Sequence, residues 1–259
     1  MTAILETRGL TRTFGAVVAA NDLNVSIGQG EIVGVIGSNG AGKTTFINMV
    51  TGYLPPSSGD ILFDGQSVIG RQPREITRLG MARSFQVAQL FPKLTVLENA
   101  LVSLVAAEGP RPSIFRPLDT PERRERADAI FAEFGVTRYR DALVSTVPQG
   151  ARKLVDIAMA LVSRPRMLLL DEPTSGVSSE EKFALMDTVI AVVRQHGVTV
   201  LFVEHDMEIV ARYVTRLMAF YSGEIIADGP PRSVLGDARV QELVVGHHLD
   251  INAVLGAAA

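Results

Sequence analysis

The chain has 259 residues, 47% hydrophobic and 20% charged, which suits one large folded domain or two small ones with a continuous core. Its formal net charge of −3 lacks the basic surplus expected of a nucleic-acid partner, so none is expected. Cysteine is absent, which excludes disulfides and thiolate metal sites. No apolar run approaches the roughly 18 residues needed to cross a bilayer, and Met1 to Arg12 lacks the basic-then-apolar order of a signal peptide.

Residues 3–36 read as short strands broken by Gly and Asn-Asp turns, ending in the apolar run Ile32-Val33-Gly34-Val35-Ile36. A glycine-rich turn follows, then a helix over about 43–51 and a loop at 55–59. Ile61-Leu62-Phe63 before Asp64-Gly65 predicts a strand and a tight turn. From about 87 to 163 the pattern is mostly helical, with an Arg- and Pro-rich segment at 111–140. Thr120-Pro121-Glu122 has the order of an N-cap, a first-turn proline and an acidic first turn. The arginines have two readings, an anionic-lipid contact or a solvated helical face, and the second is favoured.

After residue 163 the α/β rhythm returns. Residues 167–170, 198–203 and 217–220 are buried-strand runs, with a helix expected over 180–195. Continuous apolar strands alternating with helices imply a parallel sheet covered on both faces. The whole reads as one α/β core interrupted by a helical insertion.

Gly37-Ser38-Asn39-Gly40-Ala41-Gly42-Lys43-Thr44 matches the complete P-loop pattern, between an apolar strand and a helix. The glycines let backbone approach phosphates closely, and the loop N–H groups form an anion nest at the positive end of the following helix. Lys43 supplies a mobile charge for the β- and γ-phosphates, and the Thr44 hydroxyl can ligate Mg²⁺. The motif announces a P-loop NTPase without naming its reaction.

The strand Leu168-Leu169-Leu170 ends in Asp171 and Glu172, at the edge where ligands bind in parallel sheets. Asp171 suits a Mg²⁺ ligand acting through water, and Glu172 suits the orientation or deprotonation of the attacking water. His205 ends the next apolar strand, where it can contact the γ-phosphate. His196, His247 and His248 lack such placement and read as surface residues.

These pieces, in this order, resemble the ATP-binding cassette family over about residues 4–245. The resemblance implies an α/β fold: a P-loop NTPase core with a mainly parallel sheet, an antiparallel β subdomain and an inserted α-helical subdomain. Its expected boundaries are 1–86 and 164–235 for the nucleotide-binding core, 87–163 for the helical subdomain and 236–259 for a C-terminal tail, within one domain. Phe14, in Thr13-Phe14-Gly15, matches the aromatic that stacks on adenine. Gln86, in Arg83-Ser84-Phe85-Gln86, matches the glutamine loop that reaches Mg²⁺ and water and moves with the membrane subunit. Asp171 and Glu172 match the Walker B pair and His205 the switch histidine; Thr45 and Gly150 join the implied ATP contacts. Residues 81–86 with 90–99, and the stretch 230–246, are similar to ATPases of branched-chain amino acid importers. That likeness implies ATP and Mg²⁺, permease subunits, a second cassette and, indirectly, a periplasmic solute-binding protein. It also implies a peripheral position at the cytoplasmic face of the inner membrane. A soluble ATPase outside transport and a weakly catalytic regulatory cassette are the alternatives.

The sequence departs from the family twice. Val147-Pro148-Gln149-Gly150-Ala151 stands where Leu-Ser-Gly-Gly-Gln is usual, and only the second glycine, Gly150, is kept. Pro148 has neither a hydroxyl nor an N–H. Arg152 and Lys153 read as exposed helix cations. In Ser175-Gly176-Val177-Ser178, Ser178 replaces the usual aspartate. Both departures favour a hetero-dimer over a homodimer.

Overall fold

In the computed structural model residues 3–28 form one long antiparallel hairpin rather than several short strands. Its arms are β1 (Ala3–Phe14) and β2 (Val17–Gly28). The residues read as turns are irregularities within the ladder. Gly9 adopts φ +59° within the register shift between Thr7 and Leu10, and Asp22 has φ +47° opposite that stretch. The Gly9 N–H donates to Asn24 Oδ1 at 2.8 Å, so the bulge is closed by a side chain. Bulges keep a strand continuous while bending it, which is why Gly and Asn-Asp do not end it.

The chain continues through β3 (Ile32–Gly37), α1 (Lys43–Val50), β4 (Ser58–Phe63), β5 (Gln66–Ser67), α2 (Pro73–Arg78) and β6 (Met81–Ser84). Helices α3 (Val96–Glu108), α4 (Pro121–Glu133) and α5 (Gln149–Leu161) precede β7 (Met167–Asp171). Then come α6 (Lys182–Gln195), β8 (Thr199–Val203), α7 (Met207–Tyr213), β9 (Arg216–Tyr221), β10 (Glu224–Gly229), α8 (Pro231–Leu235) and α9 (Ala238–Val240). The structure describes residues 3–84, 90–108 and 117–246. They fall into two compact units, Met1–Ile76 with Thr199–Ala259, and Thr77–Val198.

The first unit holds two sheets. One is antiparallel, in the order β2-β1-β4-β5. Asp64 and Gly65 join β4 to β5 with φ +52° and +73°, the paired positive angles of the expected tight hairpin turn. In the other sheet β3 lies between β8 and β9, parallel to both, and β10 pairs antiparallel with β9. Every residue of β3 and β8 is buried, which explains their unbroken apolar runs. Helix α1 is pinned to β9 by Phe46, whose fully buried ring lies 5.5 Å from that of Phe220 at 44°.

In the second unit β6 and β7 pair in parallel, Met81 to Ser84 beside Met167 to Leu170. Helices α3, α4 and α6 pack against α5, and Phe131 and Phe134 are completely buried. Thr120 caps α4 as expected, accepting the Arg123 N–H at 3.3 Å, with Pro121 in the first turn. Several arginines of this region pair with intramolecular carboxylates. Arg123 pairs with Glu108 and Arg140 with Asp128, each at 2.6 Å, and Arg124 clasps Asp119. The Arg124 hydrogen bond holds the Asp119 carboxyl below the usual carboxylate range. His196 meets Glu133 at 2.6 Å. Exposed pairs of this kind contribute about 0–1 kcal/mol each, so the helices are held chiefly by their apolar faces.

Phe46 is the single side chain that best reports the attachment of α1. Replacing it with Ala is expected to cost about 3–5 kcal/mol, measured as a lowered urea midpoint with an unchanged slope.

Candidate active site

The glycine-rich loop leaves the C-terminal end of β3 and turns into α1. Gly40 and Gly42 adopt φ +80° and +103°, angles that only glycine reaches without strain. Space is as restrictive as angle. A Cβ on Gly42 would stand 2.4 Å from the Ala19 carbonyl oxygen, and one on Gly37 2.6 Å from that of Phe220. The β9–β10 turn closes on the same loop: Ser222 and Gly223 both have positive φ, and the Gly223 N–H donates to the Ala41 carbonyl at 3.0 Å. The Gly223 carbonyl in turn accepts the Asn21 N–H at 2.8 Å. Three backbone segments, from β2, β9 and the β9–β10 turn, therefore brace the loop from outside.

Within the loop, Ser38, Asn39 and Gly40 are exposed while Ala41, Gly42 and Lys43 are buried. The Lys43 ammonium folds inward and donates to the carbonyls of Gly37 at 2.5 Å and Ser38 at 3.0 Å. Thr44 is exposed and Thr45 half-buried at the first turn of α1. The result is a curled backbone with a cation at its centre, the geometry of an anion nest.

Phe14 ends β1 at the two-residue turn that leads back to Ala19. Its ring is 48% exposed, and the Arg12 guanidinium lies 4.6 Å from its centroid. His205 follows β8, whose Val203 lies beside Val35 of β3, so His205 and the loop leave the same edge of the sheet. The His205 side chain is exposed, behind the buried Glu204, whose carboxylate accepts the His205 N–H at 3.2 Å. The first unit thus brings the loop, Thr44, Thr45, Phe14 and His205 into one fold.

The second unit carries the two acids and the altered signature. Asp171 ends β7, and its Oδ2 accepts Arg83 Nη2 at 2.8 Å, with side chains 15% and 7% exposed. Glu172 follows at φ +48°, a left-handed angle that a non-glycine residue adopts at a cost of about 1–3 kcal/mol. Its carbonyl accepts the Ser175 N–H at 3.0 Å, so the chain turns sharply as it leaves the strand. Gln86 lies outside the described residues, as do His247 and His248.

Pro148 caps α5 without a side-chain bond, and Gly150 is half-buried in the first turn. Gln149 packs on Gly176, whose φ is +77° and where a Cβ would stand 2.4 Å from Gln149 Nε2. The altered signature and the Ser175–Ser178 segment are thereby in contact. Ser178 serves the start of α6: its Oγ bonds Glu181 at 3.1 Å, and its carbonyl accepts the N–H groups of Glu181 and Lys182.

Two readings of the signature helix require correction. Arg152 is half-buried and donates Nη2 to the Val147 carbonyl at 2.9 Å, so it fastens the segment before the helix. Lys153 is only 6% exposed. Lys153 lies on the inward side of α5 with Asp156 and Ile157, a consequence of the 3.6-residue period. Sequence reasoning also passed over Arg83, Ser84 and Asp156. Ser84 Oγ bonds Asp156 Oδ2 at 2.5 Å in the interior. Two polar residues inside a short apolar strand were the available signal.

A family model described as ABC transporter matches residues 20–175. The probable branched-chain amino acid transport ATP-binding protein LivG of Archaeoglobus fulgidus is 32% identical over 249 residues, covering 94% of this chain and 95% of that protein. The high-affinity branched-chain amino acid transport ATP-binding protein BraF of Pseudomonas aeruginosa is 33% identical, covering 94% and 98%. Among solved structures, the ADP conformation of an ATP-binding cassette of an ABC transporter superposes with a TM-score of 0.85 at 30% identity, over 95% of this chain and 100% of that one. A dimeric post-hydrolysis cassette bound to ADP and Pi gives 0.75 at 25% identity, over 88% and 98%. The match spans well over half of the chain, and with it the braced glycine-rich loop is placed: this chain belongs to the ABC transporter family.

Proposed function

We propose that the chain is the ATP-binding and ATP-hydrolysing subunit of an importer for branched-chain amino acids or related small polar solutes. The observation that carries the reading is the inward-held Lys43 within a loop of left-handed glycines. Only a polyanion makes full use of such a nest. The names of the LivG and BraF relatives supply the cargo class.

In this reading the triphosphate takes the Lys43 ammonium from the Gly37 and Ser38 carbonyls and binds Thr44 and the loop amides. The adenine stacks on Phe14. Thr44 and Asp171 offer a hydroxyl and a carboxylate, hard oxygen donors of the kind Mg²⁺ accepts beside phosphate and water. When bound there, Mg²⁺ supplies charge neutralisation of the phosphates. Glu172 orients the attacking water and accepts its proton, and His205 contacts the γ-phosphate. Gln86 is assigned to metal and water by the family resemblance.

Residues 1–86 and 164–235 are assigned to the nucleotide-binding core and 87–163 to the helical subdomain. Gly150 and the N-terminus of α5 face the nucleotide of a second cassette. Because Pro148 and Ser178 replace the usual side chains, that cassette is a different chain with an intact signature. Membrane permease subunits are the partners through which an ABC ATPase acts on a membrane. Their contact is assigned to Phe91 and Leu94; Phe91 is 54% exposed. No helix of the described residues is long and apolar enough to cross a membrane. The position is peripheral, at the cytoplasmic face of the inner membrane, with a periplasmic binding protein delivering the solute.

Three outcomes are expected. Lys43→Ala weakens Mg·ATP binding by about ten-fold or more, the loss of one charge-assisted contact, measured by calorimetry. Glu172→Gln binds ATP but stalls as a closed dimer, seen as an earlier elution volume with ATP; an unchanged monomer counts against the role of Glu172. The chain mixed with an intact-signature cassette hydrolyses ATP faster than the chain alone, and equal rates would remove the case for asymmetry.

A further inference from the structure

Arg83 has no part in the reading above, yet its place is specific. In the β6–β7 ladder Arg83 lies beside Leu169, and Asp171 is two residues further along β7. Side chains two apart on a strand share a face, so Arg83 reaches Asp171 diagonally. Its Nη2 meets Oδ2 at 2.8 Å with both side chains largely withdrawn from water. The next residue, Ser84, points to the other face and bonds Asp156 Oδ2 at 2.5 Å, with Ser84 4% and Asp156 6% exposed. The end of β6 is therefore clamped on both faces, and Arg83 is held at Asp171.

We propose that Arg83 is a built-in counter-cation for Asp171, which neutralises this carboxylate when no metal is present and opposes the metal when one binds. The inference rests on the assignment of Asp171 to the metal. A carboxylate this withdrawn from water is costly without a positive partner, and the guanidinium supplies one permanently. A divalent cation drawn to the same carboxylate is repelled by it over a few ångströms. The two cations share one acid, so each lowers the affinity of the other by the same factor. Arg83 is a positioning residue, acting through Asp171.

The test compares ADP affinity with Mg²⁺ and with EDTA, by calorimetry, in the wild type and in Arg83→Gln. The ratio of the two affinities is expected to rise about ten-fold in Arg83→Gln, a modest fraction of a full Coulomb repulsion at that range. Arg83→Lys, which keeps the charge, is expected to stay near the wild-type ratio. An unchanged or smaller ratio in Arg83→Gln overturns the proposal. Failure of the wild type to bind Mg·ADP instead overturns the nucleotide reading, and the proposal with it. Thermal melting in EDTA gives a second arm that needs no ligand. Arg83→Gln is expected to melt lower than the wild type and the double variant with Asp171→Asn to recover most of the loss. A double variant that melts no higher than Arg83→Gln, or fails to fold where Arg83→Gln fails, overturns the proposal.

Discussion

The phosphate loop is shaped from behind. At Gly37 and Gly42 the neighbouring carbonyls of Phe220 and Ala19 stand where any Cβ would have to go. The N–H of Gly223 holds the Ala41 carbonyl on the same side. The back of the loop is filled by neighbouring backbone. The nest is thus a product of tertiary packing, and the glycines are required by close backbone approach as much as by their φ angles. The ring contact of Phe46 with Phe220 extends the same brace into α1, which orients the positive end of that helix at the nest.

The two acids at the end of β7 depend on a different constraint. Strand β7 is buried over Met167–Leu170, and polarity appears only where the strand ends, at Asp171 and Glu172. Burial thus delivers the acids to the sheet edge, and the left-handed angle at Glu172 turns the chain away immediately beyond it. The family's altered segments are put to local structural use. Pro148 begins α5 with the φ that a helix start tolerates, and Ser178 starts α6 through Glu181. Each substitution keeps a helix beginning while giving up a side chain that could serve a second cassette.

Much of this was legible from residue order because it depends on local rules. Unbroken apolar runs marked β3, β7 and β8, and paired turn residues marked the Asp64-Gly65 hairpin. The P-loop pattern stood out because angle, space and charge restrict eight consecutive positions. Local rules failed where the partner was distant. Gly9 and Asp22 look like turn residues, and only pairing across the hairpin makes them bulges. Ser84 meets an acid 72 residues away and Arg83 one 88 residues away, separations that no window of sequence spans. Lys153 was misjudged for a simpler reason: charge was weighed before helical period, and the period put it inside.

The ammonium of Lys43 is bonded to two carbonyls of its own loop. Any newcomer must therefore outbid those oxygens before it gains the cation. A neutral nucleoside, or a weakly charged one, has too little to offer, whereas a triphosphate has charge to spare. The loop therefore selects a guest by its charge as well as by its shape.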